Sequence, residues 1–323
     1  MHPPETIMKQ KILKYLLTGL FTVSAFSVVP TLAVVQAEPP AGYKLAWADE
    51  FDGSELDTTK WDYVSDCLKE TTGNGRDAIN VAGGFLTIRA YTEGDKHFNG
   101  QISTQGKFER SFGYYEARIM FQDSPGVTSA FWIDPPNKSN ESGDPATAGM
   151  QIIILEHRAV DKDGQNIADK TGQGLKWNGN GKKRKSAWQL TENLGLANGF
   201  HIYGLEWTKE GYRFFIDGKP TWMPLTPVSE RPEHINLYCA VKGGWAGEIP
   251  AAGYGSREAS KTNMVVDYVR HYERLEPALD ATPAPQSTPT PADRIKQIKQ
   301  LLEQGLIDKQ EYDRRVKEIL DAI

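Results

Sequence analysis

Between residues 38 and 276 the chain sets short apolar and aromatic runs among turn residues. Phe85-Leu86-Thr87-Ile88, Gly113-Tyr114-Tyr115-Glu116-Ala117-Arg118-Ile119, Tyr212-Arg213-Phe214-Phe215-Ile216 and Met264-Val265-Val266-Asp267-Tyr268-Val269 each have the length and period of a strand. Asp217-Gly218, between two such runs, predicts a tight hairpin in which Gly supplies the positive φ. This stretch shows no helical periodicity, so an all-β, antiparallel β-sandwich is expected.

The flanks follow other patterns. Lys9, Lys11 and Lys14 precede an apolar run over 16–35, and Val35-Gln36-Ala37 closes it, which predicts an export signal over 1–37 cleaved after Ala37. An uncleaved anchor is the rival, because the run is about as long as a bilayer span; Pro30 and the small Ala37 favour cleavage. The mature protein is then expected outside the cell, in a periplasm or on the cell envelope, and Met8 offers a second start. Residues 277–292 carry five prolines among Ala, Thr and Ser and read as an extended linker.

Over 293–323 apolar positions return at helical spacing. Ile295, Ile298, Leu301 and Leu302 make one face, Val316, Ile319 and Leu320 another, and Gly305 with Asp308 and Glu311 supplies stop and start signals between them. A helical hairpin this short buries too little to stand alone, so it is expected to dock or self-associate. Through Gln304-Gly305-Leu306-Ile307-Asp308-Lys309-Gln310-Glu311-Tyr312 it resembles the SHOCT module of bacterial proteins.

Composition narrows the classes. Of 323 residues 39% are hydrophobic and 10% aromatic, enough for a packed core, and a formal charge of −5 argues against a general nucleic-acid binder. Removing residues 1–37 takes away three Lys and Glu5, which moves the charge from −5 to −7 and favours a neutral ligand over a highly sulfated one. The run Lys182-Lys183-Arg184-Lys185 is either a solvated loop or a contact for sulfate groups on an acidic polymer. Cys67 and Cys239 form no C-x-x-C, so no zinc site is read. Serine-hydrolase, metalloprotease and nucleotide-binding motifs are missing.

Four segments in order, Leu45-Ala46-Trp47-Ala48-Asp49-Glu50-Phe51-Asp52-Gly53, the Gly113–Ile119 run, Ser129-Ala130-Phe131-Trp132-Ile133 and Phe200-His201-Ile202-Tyr203-Gly204-Leu205-Glu206-Trp207, resemble glycoside hydrolase family 16. The resemblance implies a concanavalin A-like jelly roll whose concave face holds an extended β-linked polysaccharide. It also implies retaining endo-β-glycosidase chemistry on a strand reading E-x-D-x-x-E. The matching segment here is Gln151-Ile152-Ile153-Ile154-Leu155-Glu156. Glu156 falls at the acid/base position, Gln151 at the nucleophile and Ile153 at the central Asp.

Residues 151 and 156 are an odd number of steps apart and would face opposite sides of a regular strand, so a β-bulge between them is expected. Retaining hydrolysis needs two carboxyl groups about 5–5.5 Å apart. A carboxamide is a poor nucleophile and carries no charge to steady an oxocarbenium ion. Ile153 suits that loss, since it avoids burying an unpaired carboxylate beside a neutral amide. Binding with impaired hydrolysis is the leading expectation, and Gln151→Glu with Ile153→Asp is expected to restore some cleavage if the rest of the cleft is intact. One alternative is a working enzyme that pairs Glu156 with Glu141 or Asp144; another is a scaffold that presents the hairpin.

By the same resemblance Trp132, Trp245, Trp177, His157 and Arg158 are candidate sugar contacts, with Trp188 a further one and Trp207 a core residue. Lys176 stands where many relatives have His. Glu50 and Asp267 match acidic residues that help hold a structural calcium in many members; no cofactor is otherwise expected.

Overall fold

The computed structural model describes residues 41–64, 75–122, 124–136, 142–179, 182–192 and 199–275, then 295, 298, 299, 302 and 309–321. The expected export signal, the linker, Cys67, Glu141 and Gly305 lie outside these residues.

The strands, in chain order, are β1 (Tyr43–Asp49), β2 (Asp62–Tyr63), β3 (Ile79–Ala82), β4 (Phe85–Arg89), β5 (Tyr91–Glu93), β6 (Lys96–Phe98), β7 (Gly100–Ser103), β8 (Glu109–Arg110) and β9 (Gly113–Gln122). They continue as β10 (Val127–Asp134), β11 (Gln151–Arg158), β12 (Lys170–Trp177), β13 (Lys185–Glu192), β14 (His201–Thr208), β15 (Gly211–Ile216), β16 (Lys219–Trp222), β17 (Glu233–Val241) and β18 (Asn263–Arg274). Two large antiparallel sheets result, with β5 and β6 forming a separate two-stranded ribbon. The first runs β16-β15-β14-β9-β18-β4-β3 with β1 beside β18, and the second runs β13-β12-β11-β10-β17-β7-β2 with β8 beside β17. The runs singled out by period two are β4, β9, β15 and β18, and the Asp217-Gly218 turn has positive φ at both residues, 49° and 72°.

The core lies between the sheets. Ile119, Tyr203, Leu205, Trp207 and Phe214 of the first sheet meet Phe131, Ile133, Ile152, Ile154, Leu155 and Leu237 of the second. Trp207 is fully buried, as expected of a core residue, and its Nε1–H donates to the Ser229 carbonyl (2.9 Å). One helical turn, α1 (Pro145–Ala148), interrupts the all-β reading just before β11. Four residues are too few to write a period into sequence, and the turn is started locally by Asp144, whose Oδ1 accepts from Ala146 N (3.1 Å). In the C-terminal segment Lys309–Asp321 forms a helix, α2.

Candidate functional site

Side-chain alternation fixes which residues of β11 leave the core. Ile152, Ile154 and Leu155 all belong to the core, so the alternation slips by one between 154 and 155. The ladders show the cause. Phe131 and Trp132 of β10, consecutive, pair with Leu155 and Ile153, leaving Ile154 as the extra residue, and the pairing with β12 jumps from Ile153–Gly174 to Glu156–Gly172. This is the expected bulge, and it turns Gln151, Ile153, Glu156 and Arg158 to the same outer face of the second sheet.

Cross-strand register then lays that face out in rows. The middle row runs Asn236, Trp132, Ile153, Gly174, Trp188 across β17, β10, β11, β12 and β13. The row beside it runs Tyr238, Ala130, Glu156, Gly172, Leu190. On the other side Gln151 has Lys176 as its β12 partner, and Ile133–Ile152 pairing brings the next residue of β10, Asp134, alongside it. Asp134 is buried, and His234 is its partner on β17.

Ile153 forms a small apolar cluster with Ala130, Trp132 and Tyr238, separate from the main core, in which the Trp132 and Tyr238 rings meet edge to face at 4.8 Å. The position matching the central Asp is therefore hydrocarbon packed against two aromatic rings. Trp132 shares the outer face but is almost covered, and its Nε1–H has no acceptor among the described residues.

Glu156 is held by two neighbours at its Oε1. Trp245, in a 3-10 turn over Gly244–Ala246, donates from Nε1 to Glu156 Oε1 (3.1 Å), and Arg158 Nε lies 3.7 Å from the same oxygen. The Arg158 guanidinium stacks on the Trp245 ring at 4.1 Å and donates from Nη1 to the Trp245 carbonyl (2.7 Å). Burial holds Arg158 below the ordinary arginine range, with Glu156 pulling it back. Glu156, Arg158 and Trp245 thus form one locked group, with 48% of Trp245 left open.

Trp188 makes a flat shelf beside them. A Cβ on either Gly172 or Gly174 would collide with its ring, so the indole lies across bare backbone, 39% exposed. Two other candidates belong elsewhere. His157, on the opposite side of β11 from Glu156, is buried between the sheets and stacks on Phe121 at 4.3 Å. Trp177, next to Lys176 and so on the inner side of β12, packs against the core. As sugar contacts both readings are corrected by side-chain alternation. Asp144, nominated as a second carboxylate, caps α1 instead.

Lys176 and Asp134 are the residues that sequence reasoning undervalued. Burial keeps the Lys176 ammonium below the ordinary lysine range; Glu156 attracts it, Arg184 and Lys242 repel it, and Asp134 adds the smallest attraction. Among the described residues Lys176 makes no hydrogen bond or ion pair. The exposed Lys182-Lys183-Arg184 turn lies between β12 and β13, and its Arg184 reaches this field. Lys176 stood out only as a departure from its relatives; its place opposite Gln151 depends on register between distant segments.

The residues matched to calcium do not fit one. Arg270 grips both oxygens of Glu50 (2.8 and 2.8 Å), and Arg118 takes Asp267 (2.6 Å). Among the described residues no group of three or more His, Cys, Asp or Glu is placed to hold a metal. Two carboxylates each neutralised by an arginine leave no anionic oxygen cage for a hard cation.

Residues 44–274 match the family model described as "Beta-porphyranase A-D, GH16 domain". The chain belongs to glycoside hydrolase family 16. Within the family it is 27% identical over 295 residues to a beta-glucanase of Rhodothermus marinus, covering 84% of this chain and 99% of that one. It is 28% identical to beta-porphyranase E of Zobellia galactanivorans, over 71% of this chain and 87% of that one. The solved laminarinase of Rhodothermus marinus superposes with a TM-score of 0.57 at 26% identity, over 72% and 98% of the two chains. The chain spans less than half the length of a glucan endo-1,3-beta-glucosidase and two endo-1,3-1,4-beta-glycanases that it also matches.

Proposed function

We propose that this family 16 sandwich holds a β-linked polysaccharide across the outer face of its second sheet without cutting it through a glycosyl-enzyme intermediate. The observation that carries the reading is the content of that face. On the strand where retaining chemistry needs two carboxylates, Gln151 and Ile153 stand in line with a single Glu156. Gln151 has no negative charge to attack an anomeric carbon or to steady positive charge there, and Ile153 is committed to packing on Trp132. Surfaces suited to a sugar remain: the Trp188 shelf, the open part of Trp245 and the polar edge of Gln101 and Asn236, joined by a 3.2 Å hydrogen bond.

The relatives are named for β-glucans and porphyran, which supports a β-linked polymer as the ligand. Lys176, Arg184 and Lys242 gather near this face, so the acidic balance of the whole chain is a poor guide to the ligand's charge. Export over 1–37, a linker over 277–292 and a SHOCT-like hairpin over 293–323 that associates with itself or docks complete the proposal. They make the protein a secreted or envelope-associated binder.

The test incubates the protein lacking residues 1–37 with laminarin, mixed-linkage β-glucan, agarose and porphyran, scoring retention and new reducing ends separately. Retention of at least one polymer without new ends is expected. Robust cleavage would overturn the reading, and loss of both would leave the scaffold alternative.

A further inference from the structure

If the two missing carboxylates were the whole obstacle to hydrolysis, restoring them would be enough; the position of Lys176 argues otherwise. It is the β12 partner of Gln151, and it shares the outer face with Gln151, Glu156 and Asp134 because Leu175 and Trp177 on either side turn to the core. Its ammonium is half-buried, unpaired among the described residues and placed in the field of both carboxylates. A cation beside the anomeric carbon opposes the positive charge that builds there in an oxocarbenium-like transition state. The same ammonium, with no protein partner, is a donor for the oxygens of a bound sugar.

Resting on the binding-only reading, we infer that Lys176 is the specificity-determining residue that commits this centre to holding polysaccharide. A glutamate reinstated at position 151 would meet Lys176 directly across the strand pair, at the closest cross-strand distance, and form an ion pair. Paired in this way it would be a weaker nucleophile, and the ammonium would offset the negative charge that retaining catalysis requires. Gln151→Glu with Ile153→Asp alone therefore leaves the centre blocked, contrary to what the strand motif taken by itself suggests.

The experiment compares Gln151→Glu/Ile153→Asp with the same pair plus Lys176→Met, and with the pair plus Lys176→Arg, using laminarin and porphyran and reading new reducing ends. Methionine keeps the length of the side chain without its charge. The triple variant with Met is expected to exceed the double by on the order of a few hundredfold, the effect of removing one charge about 5 Å away at an effective dielectric near 20. The Arg variant should stay as inactive as the double. In the otherwise native chain Lys176→Met should weaken retention of whichever polymer is held, and Lys176→Arg should keep it.

Thermal melting confirms that each variant is folded. Should Met at 176 destabilise the protein, Lys176→Gln serves in its place. Equal hydrolysis by the double and the triple, including none in both, overturns the inference, as does retention that Lys176→Met leaves unchanged. Cleavage by the unmutated chain would instead overturn the binding-only reading, so the two failures are distinct.

Discussion

Trp188 owes its place to two residues that have no side chain. Gly172 and Gly174 clear the surface of β12, and the indole of the neighbouring strand lies over them. Gly174→Ala is therefore expected to lift the ring from the sheet while leaving the fold standing, since Trp188 sits on the outer face, outside the core. Retention should fall roughly 3- to 10-fold, the worth of about 0.5–1.5 kcal/mol of aromatic contact, with affinity electrophoresis as the measurement. Unchanged retention would remove Trp188 from the binding surface. At this scale the sequence was readable where the chemistry was local: Gln151, Ile153 and Glu156 could be named from one strand. Trp188 was harder to place, because its neighbours in space are glycines from another strand.

Among elements, β11 shows what spacing can and cannot tell. The odd step from 151 to 156 demands a bulge, and one is present at Ile154. The same bulge decides the fate of His157, which follows Glu156 and so turns inward against Phe121. Trp177 was misplaced for a related reason: an aromatic in a motif looks alike from either side of a strand, and only the pairing of β12 shows that Lys176 faces out and Trp177 in. Tertiary register, absent from any local window, made both distinctions.

Each sheet also holds a buried carboxyl. Glu116 of β9 accepts from Tyr272 Oη (3.0 Å), and Glu233 of β17 accepts from Met150 N (2.9 Å) and Ser229 Oγ (2.6 Å) just before β11 begins. Burial raises Glu116 to about 7 and Glu233 to about 8, from an ordinary 4.5. Both are thus neutral in the fold at a pH where the unfolded chain has already lost the protons. The stability tied to those protons is fully present below pH 4.5 and is lost as pH rises through about 7 to 8. Glu116→Gln keeps a neutral side chain at every pH, so its melting temperature should decline less than the parent's between about pH 5 and about pH 8. Parallel declines in chemical or thermal unfolding would refute the assignment.

For the molecule as a whole, patterning revealed the sandwich, because repeated period-two runs need no partner to be seen. Charge was less informative, since the formal −5 averages over a surface on which Lys176, Arg184 and Lys242 cluster at one place. Deleting residues 293–323 is expected to lower the solution mass from that of an assembly to that of a single chain, as read by light scattering, while polymer retention by the sandwich persists. A mass that falls only by the deleted segment would end the assembly role.

The most direct measurement follows the polymer itself. The protein lacking residues 1–37 is held for days with the polysaccharide it retains, and the chain length of that polysaccharide is tracked by size-exclusion light scattering. An unchanged chain length, with the polymer still bound, is the predicted result; a steady fall in molar mass would contradict it.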